Sequence, residues 1–321
     1  MRVLIMGLGV IGTTYGYLFQ KAGHQVGHLV RAGGKGAAPD KLEIELLDGR
    51  LDGRGREQTD SYPVHIADGG GSYDFIVVSV SAGKLEGAVQ TLAEKDVKGT
   101  LLIMSGIWED RRWLDGMLSG REYVLGYPVA GGSMNGGKLN GCVFDHIMLE
   151  RKEKTNIRNY EALLALLSGS YLKAETPFDM LEWIWLHMAI NAGVITTAGK
   201  YGDIRDTAKA AETVMDSARA LSEAVLAIRE TSGIVASRNV ALKNYGGELL
   251  PYRIPSKLAG VMMKRMFRKN ELTRRIMTLH SNTADLMYVC KNVYDCGKEN
   301  HAEAPLFYSN YEAVQEKLSM L

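Results

Sequence analysis

The chain has 321 residues, more than a single hydrophobic core usually organises, so two domains are expected. A composition of 46% hydrophobic and 23% charged residues is that of a soluble globular protein and excludes long disorder, collagen-like and coiled-coil architectures. With 38 Lys and Arg against 37 Asp and Glu there is no global field to draw in nucleic acid or an anionic membrane, so recognition of any anion must be local.

The first apolar run, Val3-Leu4-Ile5-Met6, is too short for a signal peptide or a membrane span. It reads as a strand that runs into Gly7-Leu8-Gly9-Val10-Ile11-Gly12 and then a helix through Ala22. Gly23-His24 closes that helix, and Gln25 to Val30 reads as a second strand. A βαβ unit of about thirty residues is complete by Arg31. Arg31 to Pro39 is glycine-rich, basic and loop-like, and Leu42 to Leu47 followed by Asp48-Gly49 predicts a short helix ending in a turn.

Asp74 to Val80 is the next buried strand, Leu85 to Lys95 a helix, and Thr100 to Met104 a strand ending at Ser105-Gly106. Tyr123 to Val129 and Gly141 to Glu150 read as strands with a glycine-rich connection, and Tyr171 to Glu175 as the last strand before Pro177. The domain boundary is therefore expected near Thr176, giving domains 1–176 and 177–321. Beyond it, Phe178 to Lys200 is helical and largely apolar, and Ala208 to Thr231 predicts a second long helix ending at Gly233. Arg253 to Arg275 reads as basic and irregular around Pro255, with helices again over Arg275 to Val293 and Tyr308 to Leu318. The expected class is α/β: an N-terminal Rossmann doubly wound parallel sheet followed by an all-helical C-terminal domain. Such a sheet takes its ligand at the carboxyl ends of its strands, here Gly7, Arg31, Ser81 and Ser105.

In the spacing Gly7-x-Gly9-x-x-Gly12 the first glycine permits a tight turn, the second lets the backbone approach a pyrophosphate, and the third lets the helix pack on the sheet. The helix N-terminus supplies N–H groups and partial positive charge for the diphosphate. The expected cofactor-binding residues are Gly7, Leu8, Gly9, Val10, Ile11, Gly12, Arg31, Ser81, Ser105 and Gly106. No Asp or Glu lies between His24 and Asp40 to take a ribose 2′-hydroxyl, whereas Arg31 and Lys35 supply positive charge for a 2′-phosphate. The expected cofactor is NADP(H), against the plainer alternative of a solvated arginine.

The chain resembles the ketopantoate reductase family. The resemblance lies in Gly7 to Gly12, in Ala22-Gly23-His24-Gln25-Val26 leading to Val30-Arg31, in Ser105-Gly106-Ile107, in Trp185 to Asn191, and in the spacing from Asp285 to Pro305. It implies a Rossmann domain followed by a helical domain, NADPH as hydride donor, reduction of a 2-keto acid to a 2-hydroxy acid in the cleft between them, and a homodimer. Departures fall on the site. His187 stands where the family has a proton-donating lysine, Ser105 where it has an asparagine, Ser81 where it has a second lysine, and Asp285 where it has a glutamate, while Asn191 is retained. The family's serine pair is not recognisable, although Ser281, Asn282 and Thr283 lie nearby.

His187 and Asn191, four apart on a helix, share a face and suit a carbonyl. An imidazole can give or take a proton at physiological pH, and Asp285 is the carboxylate expected to orient it. Catalytic residues are thus expected at His187, Asn191 and Asp285, acting on a small-molecule substrate. A His with an Asp partner also resembles the opine dehydrogenases, which reduce an imine. The plainer readings are a structural His187 packed beside Trp183 and Trp185, and a catalytically silent NADP(H)-binding sensor. The other histidines, His24, His28, His65, His146, His280 and His301, lack ligand spacing, so no catalytic metal is expected. The run from Lys264 to Lys269, with Arg274 and Arg275, reads as a solvated basic face before an anion clamp. Cys142, Cys290 and Cys296 are too few and too scattered for a disulfide framework, which fits the reducing cytoplasm.

Overall fold

The computed structural model describes residues 1–30, 38–279 and 282–320, and the chain divides into two compact units, Met1–Leu181 and Glu182–Leu321. The first unit begins as read, with strand β1 (Arg2–Met6), helix α1 (Val10–Lys21) and strand β2 (Gln25–Leu29), the strands parallel with Met6 opposite Leu29. On its other flank β1 pairs in parallel with β5 (Ser72–Val78), so the chain leaves β1 to one side and returns on the other. That reversal makes β1/β5 the switch point, and open α/β sheets take their ligands beyond the carboxyl ends of the strands at such a point. Outward from β5 come β6 (Lys98–Ile103) and β7 (Tyr123–Asn135), both parallel to their neighbours.

The sheet then changes character. β7 and β8 (Lys138–Leu149) form a long antiparallel hairpin, and β8 pairs in parallel with β9 (Lys173–Glu175) and with β3 (Lys41–Asp48), which pairs antiparallel with β4 (Arg56–Pro63). The short helix expected over Leu42 to Leu47 is therefore a strand. Leu42, Ile44 and Leu46 are buried while Lys41 and Glu43 are exposed, a period of two that decides for a strand once partners stand on both sides.

Beyond β4 the chain runs back along β2, with the His28 N–H donating to the His65 carbonyl at 2.7 Å and the Ala67 N–H to the His28 carbonyl at 2.8 Å. The sheet thus curls back on itself with α1 inside the curl. This explains why eight consecutive residues of α1, Gly12 to Phe19, are all buried, where a helix on an open sheet buries one stripe. Val10 meets Gly132 of β7, and the Tyr17 ring stands edge-on to Tyr62 of β4 at 6.2 Å. The unit is completed by α2 (Leu85–Glu94), which was expected, and by α3 (Arg111–Met117) and α4 (Tyr160–Gly169), which were not. Asp110 caps α3, accepting from the Trp113 N–H at 2.8 Å.

Helix α5 (Met180–Tyr201) leads into the second unit, which contains no strand among its described residues and is built from α6 (Thr207–Met215), α7 (Ala218–Ala236), α8 (Gly246–Arg253), α9 (Ser256–Lys269), α10 (Glu271–Thr278), α11 (Thr283–Glu299) and α12 (Pro305–Ser319). The long helix expected from Ala208 is two helices, because Ser217 ends one and caps the next, accepting from the Ala220 N–H at 3.1 Å. The second of them runs past Gly233. The stretch expected to be irregular is α9 and α10. Pro255 starts α9 as its N-cap, where its missing N–H costs nothing, and Asn270 caps α10, accepting from the Thr273 N–H at 3.0 Å. Lys317 of α12 closes the carboxyl end of α5, donating to the carbonyls of Gly199, Lys200 and Gly202 at 2.7, 2.9 and 3.2 Å. Among the described residues no helix is long and apolar enough to cross a membrane.

Candidate functional site

The three glycines of the first loop have three different environments. Gly7, with φ +83°, takes the left-handed turn off β1 that a side chain would strain. Gly9 is the N-cap of α1, and nothing lies within 4 Å of where its Cβ would stand, so the loop is open on that side. Gly12 is packed close, since a Cβ there would lie 2.7 Å from Ile5 Cγ2 of β1. The Gly9 carbonyl takes the Thr13 N–H at 2.8 Å, which leaves the N–H groups of Val10, Ile11 and Gly12 without an intrahelical acceptor. No side chain caps this helix, and its first turn holds no acid. Beside it, the hydroxyls of Thr13 and Ser79 are buried without a hydrogen-bond partner, the Ser79 oxygen 3.4 Å from the Gly12 Cβ position. An uncapped helix end, an open approach over Gly9 and unsatisfied donors fit the diphosphate of a dinucleotide.

The neighbouring strands carry the other expected residues to the same edge. Ser81 is exposed just past β5, and Gly106 is half-buried just past β6. Ser105 is buried, its hydroxyl turned onto the Val78 carbonyl at 3.4 Å, so its part at this edge is through the backbone turn it forms. Arg31 and Lys35, on which the choice of NADP(H) rested, lie outside the described residues. Lys84 was passed over in the sequence. It is an exposed cation at the N-cap of α2, three residues past Ser81.

His28 was also passed over, because it matches no ligand spacing. It is fully buried in β2 directly beneath the glycine loop. Its Nδ1 lies 2.8 Å from the Gly7 carbonyl and its Nε2 2.6 Å from the Tyr62 hydroxyl. Burial lowers its pKa to about 4, so the ring is neutral near pH 7. A carbonyl only accepts, which puts the single ring proton on Nδ1, and Nε2 then accepts from the Tyr62 O–H. Burial in turn pushes the Tyr62 hydroxyl up, keeping it a donor.

In the second unit His187 and Asn191 sit one turn apart on α5, both half-buried. The His187 ring stacks on Trp183 with centroids 4.9 Å apart and planes 13° from parallel. Trp185 is engaged otherwise, with the Arg238 guanidinium 3.5 Å over its ring. Asp285 lies in the first turn of α11, where Asn282 caps it: the Asn282 amide donates to Asp285 Oδ2 at 2.8 Å and its oxygen accepts the Asp285 N–H at 3.3 Å. Thr283 donates to the Ile204 carbonyl at 3.1 Å, while His280 and Ser281 lie outside the described residues. In the basic stretch, Arg274 forms a two-pronged pair with Asp216 at 3.1 and 2.9 Å and Arg275 pairs with Glu271 one turn away. Among the described residues no group of three or more His, Cys, Asp or Glu side chains is placed to hold a metal ion.

Residues 3–107 match the family described as ketopantoate reductase PanE/ApbA. The resemblance read from the sequence is borne out. Solved structures extend the likeness over the rest of the chain. A dimeric ketopantoate reductase from Staphylococcus aureus is 11% identical with a TM-score of 0.64, over 99% of this chain and 98% of its own. D-mandelate dehydrogenase with NADH and anilino(oxo)acetate is 14% identical with a TM-score of 0.63 over the same shares. Yersinopine dehydrogenase with NADP+ bound is 10% identical with a TM-score of 0.66, over 99% of this chain and 91% of its own. At these identities the likeness is one of fold, and it bears out the expected class: a Rossmann sheet followed by a helical part. No curated protein matches the chain.

Proposed function

We propose that the chain is an NADP(H)-dependent reductase of a 2-keto acid or a related small carbonyl compound. The observation that carries this reading is the uncapped, acid-free start of α1 at the β1/β5 switch point, within the stretch that matches the PanE/ApbA family. When bound, the nicotinamide supplies hydride for the carbonyl carbon. The loop from Gly7 to Gly12, with Leu8, Val10 and Ile11, binds the diphosphate through backbone N–H groups. Arg31 meets the 2′-phosphate, and the turns at Ser81 and at Ser105-Gly106 border the cofactor. His187 gives the proton to the carbonyl oxygen, Asn191 donates a hydrogen bond to the same oxygen, and Asp285 orients the imidazole. The assembly is a homodimer in the cytoplasm, a reading supported by the dimeric relative from Staphylococcus aureus and the scattered cysteines.

A second reading, reduction of an imine formed from a keto acid and an amine, is supported by the histidine in place of lysine and by the likeness to yersinopine dehydrogenase. The test is a panel of 2-keto acids, with and without amino acids, followed by loss of NADPH absorbance. Turnover with a keto acid alone supports the first reading, and turnover only with an amine present supports the second. Tight NADPH binding without turnover on any member leaves a silent cofactor sensor and overturns both.

A further inference from the structure

The peptide that links Gly7 to Leu8 is held from one side. The Gly7 N–H donates to the Leu29 carbonyl at 2.8 Å, and its carbonyl accepts from His28 Nδ1 at 2.8 Å, so two consecutive residues of β2 grip both polar groups of one glycine. Such a grip has work to do here. A glycine at φ +83° moves between backbone basins at little cost, and the following peptide plane can turn over with it. In a trans peptide the carbonyl and the next N–H point in opposite directions. With its carbonyl held down on His28, Gly7 leaves the Leu8 N–H aimed away from that ring.

The second anchor lies far off in sequence. Tyr62 comes from β4, and its hydroxyl satisfies His28 Nε2 at 2.6 Å with the two rings edge-on, centroids 5.6 Å apart. Space for the pair is left by α1. A Cβ on Gly16 would stand 2.7 Å from the Tyr62 oxygen and 3.2 Å from His28 Nε2, so this glycine is required by the contact between helix and hairpin. All three residues are buried, and Tyr62 and His28 have no exposed surface.

We infer that His28, held in place by Tyr62 in the tautomer that the Gly7 carbonyl selects, is a positioning residue for the dinucleotide: it fixes the Gly7–Leu8 peptide so that the Leu8 N–H faces the diphosphate. This rests on the dinucleotide reading of the glycine loop. It makes the β3–β4 hairpin part of the cofactor site through a relay of two hydrogen bonds, with no hairpin residue touching the ligand.

The test compares NADP+, which has a diphosphate, with 2′-AMP, which has none, by calorimetry on the full chain. His28→Leu and His28→Gln, neither of which presents a donor at the Nδ1 position, are expected to weaken NADP+ about tenfold while leaving 2′-AMP within about twofold. His28→Asn, whose amide falls near Nδ1, restores NADP+ affinity, and Tyr62→Phe gives an intermediate loss because the imidazole keeps its Nδ1 bond to Gly7 but loses the Nε2 partner that orients it. Thermal melting identifies which variants are folded, and if His28→Leu is not, His28→Gln and Tyr62→Phe carry the comparison. Unchanged NADP+ affinity in a folded variant without the donor overturns the inference, as does an equal loss for both ligands, which marks general damage to the unit. Failure of the wild-type chain to bind either ligand overturns the dinucleotide reading itself.

Discussion

The imidazole of His187 lies flat on the indole of Trp183, one turn back on α5, with centroids 4.9 Å apart. A stacked ring has its plane fixed and its two nitrogens confined to the edge of the pair. Both properties suit a proton donor that must hold one orientation. His187→Ala is expected to lower kcat about a hundredfold or more with NADPH affinity unchanged, and Trp183→Leu to lower it less. Steady-state kinetics on the substrate found in the panel, together with NADPH titration, check this. Full activity in His187→Ala leaves the histidine a packing residue.

On the proposed function, Arg31 is the residue expected to decide between the two nicotinamide cofactors. A guanidinium on a 2′-phosphate makes charge-assisted bonds that NAD(H) does not offer. Arg31→Ala is expected to weaken NADP+ about tenfold or more and to leave NAD+ unchanged, read by calorimetry on all four cofactor forms. A wild-type preference for NAD+ that survives the substitution overturns the choice.

Gly9 and Gly12 separate binding from folding. A methyl at Gly9 enters open space, with the backbone at φ −76°, so Gly9→Ala is expected to keep the melting temperature while weakening the dinucleotide. A methyl at Gly12 would stand 2.7 Å from Ile5 Cγ2, and Gly12→Ala is expected to destabilise the fold by about 1–3 kcal/mol through overpacking. Urea melts and cofactor titration on the two variants check the contrast. Equal melts with equal affinities in both overturn it.

His28 also gives stability a pH dependence. Its folded pKa is lowered from 6.5 to about 4, so between these values the unfolded chain holds a proton that the folded chain does not. The contribution is complete above pH 6.5 and is lost as pH falls toward 4, by about 3 kcal/mol at most. His28→Asn is expected to flatten the fall in urea midpoint between pH 6.5 and 4 relative to wild type. A wild-type slope no steeper than the variant's contradicts the neutral buried ring.

What could be read from the chain followed the range of its interactions. Gly7, Gly9 and Gly12 act through their own backbone freedom and the strand and helix beside them, so their spacing was enough. Leu42 to Leu47 was misjudged although its alternation was present, because a six-residue alternating stretch becomes a strand only when β8 and β4 stand on either side of it. The helices α9 and α10 were hidden by basic residues and Pro255, which mark a helix start as readily as a loop.

By itself the sequence determined the βαβ entry, the glycine loop that joins its strand to its helix, and the α/β class. The tertiary structure alone decided that the sheet curls around α1 and that Tyr62 reaches His28, which in turn holds Gly7. Residues 7, 28 and 62 share no spacing rule. They meet because β4 and the residues after it return along β2, and hydrogen bonds made across such separations are set by topology, which no local pattern records.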